Sequence, residues 1–172
     1  LTLDLGHRDN DSDQVRTLVN SGPSDRRIDL VFMGDGYTAE ERDKFFGDMQ
    51  RLVADMFESA TFESYLPLFN VHAVFRASEE SGIGRSGAPK RTAYGLRREG
   101  NTLRAIFPGN MSAIRNSCSN APGCDYPIVI ANDDYYGGLG GEVAISTRSL
   151  TSGTVVLRHE LGHNFGRVGE EY

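Results

Sequence analysis

A histidine, a glutamate and a second histidine, in the stretch His159-Glu160-Leu161-Gly162-His163, constrain this chain more than any other feature. On an α-helix, residues i and i+4 share a face, so both imidazoles can close on one zinc ion. Glu160 then lies one residue round from the first ligand, where it can reach a water on the metal and act as general base. Such a helix must bury its other side. Leu157 and Leu161 share one face, with Phe165 continuing it, so the helix is expected to lie on a sheet with His159 and His163 turned into a cleft. Thr151 or Ser152 can cap its start, and Gly166 is the expected left-handed stop.

The rest of the chain supplies the sheet. Residues 28–33 form a short apolar run closed by Gly34-Asp35-Gly36, and residues 127–131 form a second one, bounded by Asp125 and Asn132-Asp133-Asp134. Continuous apolar runs of this length predict buried strands. Between them, Thr38 with Glu41 three residues on predicts a capping box and a helix start. Phe45, Phe46, Met49, Leu52, Val53, Met56 and Phe57 follow at helical spacing, with Asp43, Lys44, Asp48, Arg51 and Asp55 assigned to the other side. Phe69, Val71, Ala73 and Phe75 alternate with Asn70, His72, Val74 and Arg76, which predicts a half-buried strand. His72 is then a solvated or hydrogen-bonded strand residue rather than a ligand.

Residues 78–100 are irregular, glycine-rich and locally basic through Arg85, Lys90, Arg91, Arg97 and Arg98. Such a loop is either solvated surface or a cover that selects acidic substrate. Residues 103–107 and 111–115 are expected to be short helical pieces separated by Pro108-Gly109. Tyr135 to Gly141 make a glycine-rich bend, followed by a strand in which Glu142, Ala144 and Ser146 alternate with Val143, Ile145 and Thr147. The bend lacks the spacing and the lysine of a phosphate loop. Paired glycines at a strand edge suit the close approach of another backbone, so Tyr136, Gly140 and Gly141 are candidate substrate-binding residues. Strand, long helix, strand, loop, strand, strand and ligand helix together predict an α/β (α+β) fold, a mixed twisted sheet with helices against it. Residues 1–25, polar and acidic, are read as an N-terminal arm in which Leu1, Leu3 and Leu5 could form an edge strand or clasp.

Several features bound the setting. A net charge of −6 argues against nucleic acid and anionic membrane surfaces as partners. No apolar run approaches a membrane span, no signal peptide heads the chain, and Leu1 in place of Met suggests a processed N-terminus. Cys118 and Cys124 stand in a loop rich in Asn, Ser, Pro and Gly, which favours a disulfide. Asn10 and Asn110 open two glycosylation sequons. The three hints favour a secreted, extracellular protein.

A hydrolytic zinc site takes three protein ligands and an open position for water. Six residues beyond the second histidine, where a metzincin-type extension carries its third, this chain has Gly169. Glu170 and Glu171 follow, and either carboxylate can be the third ligand. Tyr135, Tyr136 and Tyr172 are candidate oxyanion donors.

The stretch from His159 to Gly166 followed by Glu171-Tyr172 resembles the signature of the immunoglobulin-A-peptidase family of zinc metalloendopeptidases. The resemblance extends through Asp29-Leu30-Val31-Phe32-Met33-Gly34-Asp35-Gly36-Tyr37-Thr38, residues 70–75 and Asn132-Asp133-Asp134-Tyr135-Tyr136-Gly137-Gly138. It implies a secreted zinc endopeptidase acting on protein or peptide, with a metzincin-like (zincin-like) α/β catalytic domain over residues 26–172. It also implies His159 and His163 as ligands and Glu160 as base. The family pattern usually ends Asp-Glu-Tyr where this chain has Glu170-Glu171-Tyr172, which favours Glu171 over Glu170 as third ligand. The chain stops directly after the motif, so the domain is expected to lack a C-terminal segment or partner chain that completes the cleft. The alternative is a non-catalytic binding or structural protein that keeps the fold.

Overall fold

The computed structural model describes residues 13–101, 103–167 and 169. In chain order the elements are β1 (Gln14–Val19), β2 (Ile28–Asp35), α1 (Arg42–Phe57), the one-turn α2 (Ala60–Glu63) and β3 (Phe69–Phe75). The two-residue strands β4 (Gly84–Arg85), β5 (Arg97–Arg98) and β6 (Ile106–Phe107) follow, then α3 (Met111–Cys118), β7 (Tyr126–Ala131), β8 (Ala144–Thr147) and α4 (Gly153–Gly166). The main sheet has the order β1-β3-β2-β7-β8, and β4, β5 and β6 form a small separate sheet. In the main sheet β1 is antiparallel to β3 and every other pair is parallel. The result is a mixed sheet flanked by helices.

The two continuous apolar runs become β2 and β7 at the middle of the sheet because both of their faces are covered. Leu30 and Phe32 pack with Phe45, Met49, Leu52 and Leu157 in the core beneath α1 and α4. Val31, Met33, Val129 and Ile145 pack with Tyr94, Leu96, Ile106 and Ile114 on the other side, against α3 and the long loop. Gly34 lets the first core close: a Cβ there would lie 2.5 Å from Phe45 Cδ2.

The Phe and Met stripe of α1 is buried as its spacing predicts, but Asp48, assigned to the solvent side, is buried too. It accepts from Tyr37 Oη at 2.9 Å and from Arg148 Nε at 2.7 Å. Strand β3 is buried on both faces rather than half-buried, because β1 and β2 flank it and both cores cover it. His72 is therefore buried, 3.0 Å from Thr17 Oγ1 and 3.1 Å from Asp29 Oδ1. Residues 14–19, within the stretch read as an arm, form β1, and a register shift between Thr17 and Val19 interrupts its alternation. Leu1, Leu3, Leu5, His7 and Asn10 lie outside the described residues.

Two further expectations are corrected. The piece expected to be helical at 103–107 ends in strand β6, whose Ile106 pairs with Arg98 and whose N–H meets Gly138 O at 3.3 Å. Pairing with Arg98 on one side and Gly138 on the other overrides its local preference. The second piece, α3, runs three residues past 115 to Cys118, where it is pinned by a disulfide to Cys124. Asn110 caps α3, its Oδ1 accepting from Ala113 N at 3.0 Å, and its residue is exposed.

Glu41 ties the start of α1 to the ends of β2 and β7. Its carboxylate accepts from Thr38 N at 3.1 Å, Lys44 Nζ at 3.1 Å, Ser81 Oγ at 3.1 Å and Asn132 Nδ2 at 3.2 Å. Burial alone would raise the Glu41 pKa, but these donors outweigh it and hold the carboxyl at about 2. A depressed pKa favours the folded state while the group is charged. Its contribution is complete above the ordinary value of 4.5 and is lost as the pH falls toward 2. Urea unfolding at a series of pH values should show a shallower loss of stability across that window in Glu41→Gln than in the unmodified chain. Parallel curves would reject the assignment.

Candidate metal centre

Helix α4 carries the histidines, and its position is set from both ends. At its start, a Cβ on Gly153 would lie 2.5 Å from Thr147 O, so only glycine lets the helix begin this close to β8. Ser146 Oγ adds a hydrogen bond to Gly153 O at 2.9 Å. Arg51 Nη2 donates to Arg148 O at 2.5 Å, and Arg148 reaches Asp48, so the turn before α4 is tied to α1. Midway, Arg158 Nη2 donates to Asp55 O and Met56 O at 2.6 and 2.9 Å, taking up carbonyls left open at the end of α1. Leu157 is fully buried and Leu161 partly so, while Phe165, expected to be buried with them, rests on Phe69 and Tyr126 with ring centroids 6.0 and 5.2 Å away but stays 47% exposed.

With that face fixed, the histidines point outward together. Their Nε2 atoms are 3.1 Å apart and their rings stand nearly perpendicular at 86°. Two nitrogens at tetrahedral positions 2.0–2.1 Å from zinc would lie about 3.3 Å apart. One ligand atom each from His159, Glu160 and His163 falls within a 4.8 Å group. His159 is exposed while Glu160 and His163 are half-buried. The donor set therefore fits a zinc ion.

The glycine-rich bend forms the wall beside Glu160. Leu139 exchanges both backbone hydrogen bonds with Ile145 of β8, at 3.1 and 2.8 Å. On its other side Gly138 N donates to Arg104 O at 3.0 Å. A Cβ on Gly138 would lie 3.2 Å from Glu160 Oε1, and one on Gly140 would lie 2.8 Å from Glu160 Oε2. The absence of side chains here lets backbone pass directly over the glutamate. Gly141 has open space around it, and Tyr135 and Tyr136 are about half exposed.

Residues 16–172 match the family described as IgA Peptidase M64. The chain belongs to that family. No curated protein matches it. As an M64 peptidase it is a hydrolase of the metallopeptidase class, with protein or peptide as substrate.

Within the peptidase, some expected residues are not brought to the site. Most of the basic side chains of the long loop are taken up locally: Arg91 pairs with Glu79 and Glu80, Arg97 with Glu99, and Lys90 Nζ donates to Ser81 O. Arg98 is buried. The left-handed residue after α4 is Arg167, with φ 50° and ψ 33°, and not Gly166, which stays in the helix. The Arg167 N–H reaches Gly162 O, a closing bond that compensates the cost of a non-glycine residue in this conformation. Glu170, Glu171 and Tyr172 lie outside the described residues. Sequence reasoning missed Arg148 and Arg158, which hold the ligand helix. Arg158 follows an apolar run, a pattern common on exposed helices, and Arg148 stands in a polar turn with no local signal.

Proposed function

We propose that this chain is a zinc-dependent endopeptidase with a zincin-like catalytic domain. The observation that carries the reading is the convergence of His159 and His163 on one point, with Glu160 beside them beneath a bare backbone wall. His159, His163 and Glu171 are the proposed ligands, with Glu170 as the alternative third. When bound, zinc supplies a Lewis acid that acidifies a water and polarises the scissile carbonyl. Glu160 takes the proton from the attacking water and delivers it to the leaving amine. Its position between the histidine face and the glycine wall keeps the carboxylate close to both. Substrate backbone lies along Gly140 and Gly141, with Tyr136 at the rim. The left-handed turn at Arg167 redirects the chain just after the ligand helix, as a third ligand supplied from beyond the helix requires.

We also propose that the protein is secreted. The Cys118–Cys124 disulfide supports an oxidising compartment, and exposed Asn110 supports glycosylation. Among the described residues no helix is long and apolar enough to cross a membrane.

Metal analysis tests the ligand set. Glu171→Ala is expected to weaken zinc binding by at least about 100-fold, beyond the 10–100-fold typical of losing an outer partner. Glu170→Ala should leave zinc binding within that smaller range. The reverse ranking would move the ligand to Glu170, and unchanged zinc in both variants would remove the carboxylate from the site.

A further inference from the structure

We propose that Arg98 is a positioning residue of the peptidase site, holding the backbone wall over Glu160 from behind. The proposal rests on the reading of His159, Glu160 and His163 as the hydrolytic centre. Arg98 lies in β5, and its side chain is 1% exposed. A guanidinium so buried is tolerated only where its donors are met. Nε donates to Asp133 Oδ2 at 3.1 Å, Nη2 to Tyr135 O at 3.1 Å, and Nη1 to Tyr136 O at 3.0 Å and to Leu103 O. The Tyr135 ring lies 5.1 Å over the cation and closes the site from outside.

Three of these four acceptors are backbone carbonyls, drawn from two separate stretches of loop. Arg98 thus ties residue 103 to residues 135 and 136 through one rigid fork. The chain then runs straight into the wall. A Cβ on Gly137 would lie 2.6 Å from Arg98 Nη1 and 2.5 Å from Arg104 O, so the loop closes onto the arginine only with glycine there. Gly138 follows, bonded to Arg104 O and Ile106 N, and then Leu139, bonded to Ile145. Gly138 and Gly140 are the residues that meet Glu160, and Gly140 also lies against His163. The ligand helix, by contrast, is held by Gly153, Arg148 and Arg158 on its other sides. A change at Arg98 should therefore move the wall without moving the histidines.

Lysine keeps the charge but has neither the planar fork nor the reach to three carbonyls at once. The test compares the unmodified chain with Arg98→Lys and Gly137→Ala, using zinc titration, amide hydrogen exchange and hydrolysis of an internally quenched peptide chosen for cleavage by the unmodified protein. In both variants the Gly138, Leu139 and Ile106 amides should exchange at least about tenfold faster, while those of α4 and β2 and the zinc affinity stay unchanged. KM should rise by about tenfold with kcat within about threefold, the pattern of lost substrate positioning rather than lost chemistry. Unchanged exchange at Gly138 and Leu139 in a folded variant overturns the proposal. So does faster exchange with an unchanged KM, or a loss of zinc affinity together with kcat. If Arg98→Lys does not fold, Gly137→Ala decides by the same readouts. If the unmodified protein cleaves no peptide, the hydrolytic reading falls, while the exchange data still decide whether Arg98 holds the wall.

Discussion

Glu160→Gln should lower peptide hydrolysis by about 10²–10⁴-fold, the usual contribution of a positioned general base, while zinc remains bound. The amide nearly matches the carboxylate in size and cannot take a proton from water. His159 and His163 keep their geometry because their helix is fixed by Leu157, Arg158 and Gly153, none of which touches the substituted group's role. The measurement pairs turnover of a peptide library with zinc content by mass spectrometry. Equal and negligible cleavage by both proteins would favour the non-catalytic reading of this fold. Loss of zinc in the variant would mean that Glu160 is a ligand rather than the base.

Asp48→Ala is expected to cost about 3–5 kcal/mol of stability, the range for breaking a buried ion pair from one side. The residue is 7% exposed and accepts from both Tyr37 and Arg148. Burial first, and then the neighbouring Asp48 charge, push the Tyr37 pKa up, so its hydroxyl stays protonated and needs an acceptor. The Asp48 carboxylate likewise raises the Arg148 pKa. Removing the carboxylate strands the buried Tyr37 hydroxyl, while Arg148 keeps Asp134 as its remaining carboxylate. For a domain whose total stability is of the order of 5–15 kcal/mol, the melting temperature should fall by roughly 10 °C or more. Asp43→Ala is the control, since its side chain is 82% exposed and should shift stability by no more than about 0.5 kcal/mol. If thermal unfolding shows equal losses for the two, Asp48 is not a buried strut. The two predictions also separate chemistry from scaffold, because Asp48 braces the turn before α4 without reaching the histidines.

The parts of the fold that were legible beforehand are those whose pattern is local. The α1 stripe repeats at 3.6 residues, β2 and β7 are apolar throughout, and two histidines four apart define a helix face. Cys118 and Cys124 lie within one turn of chain and could be paired by proximity. Where the reading failed, a particular backbone partner decided the outcome and residue type did not. Gly166 was the natural helix stop by residue type, yet the helix continues to it and Arg167 takes the left-handed position because its N–H can close on Gly162 O. Residues 106 and 107 became strand because Arg98 and Gly138 border them.

Spacing alone is enough to place His159, Glu160 and His163 on one helix, since that relation depends only on helix geometry. It is not enough to say which charged residues go inside. Asp48 and Arg148 are 100 positions apart, and Arg98 meets carbonyls 37 and 38 positions away. An Asp or Arg is buried only when its partner is already in place, and that partner is chosen by the folding of the whole sheet. The His159, Glu160 and His163 cluster was thus readable from the chain, while the wall beside Glu160 and the struts under α4 came from tertiary packing.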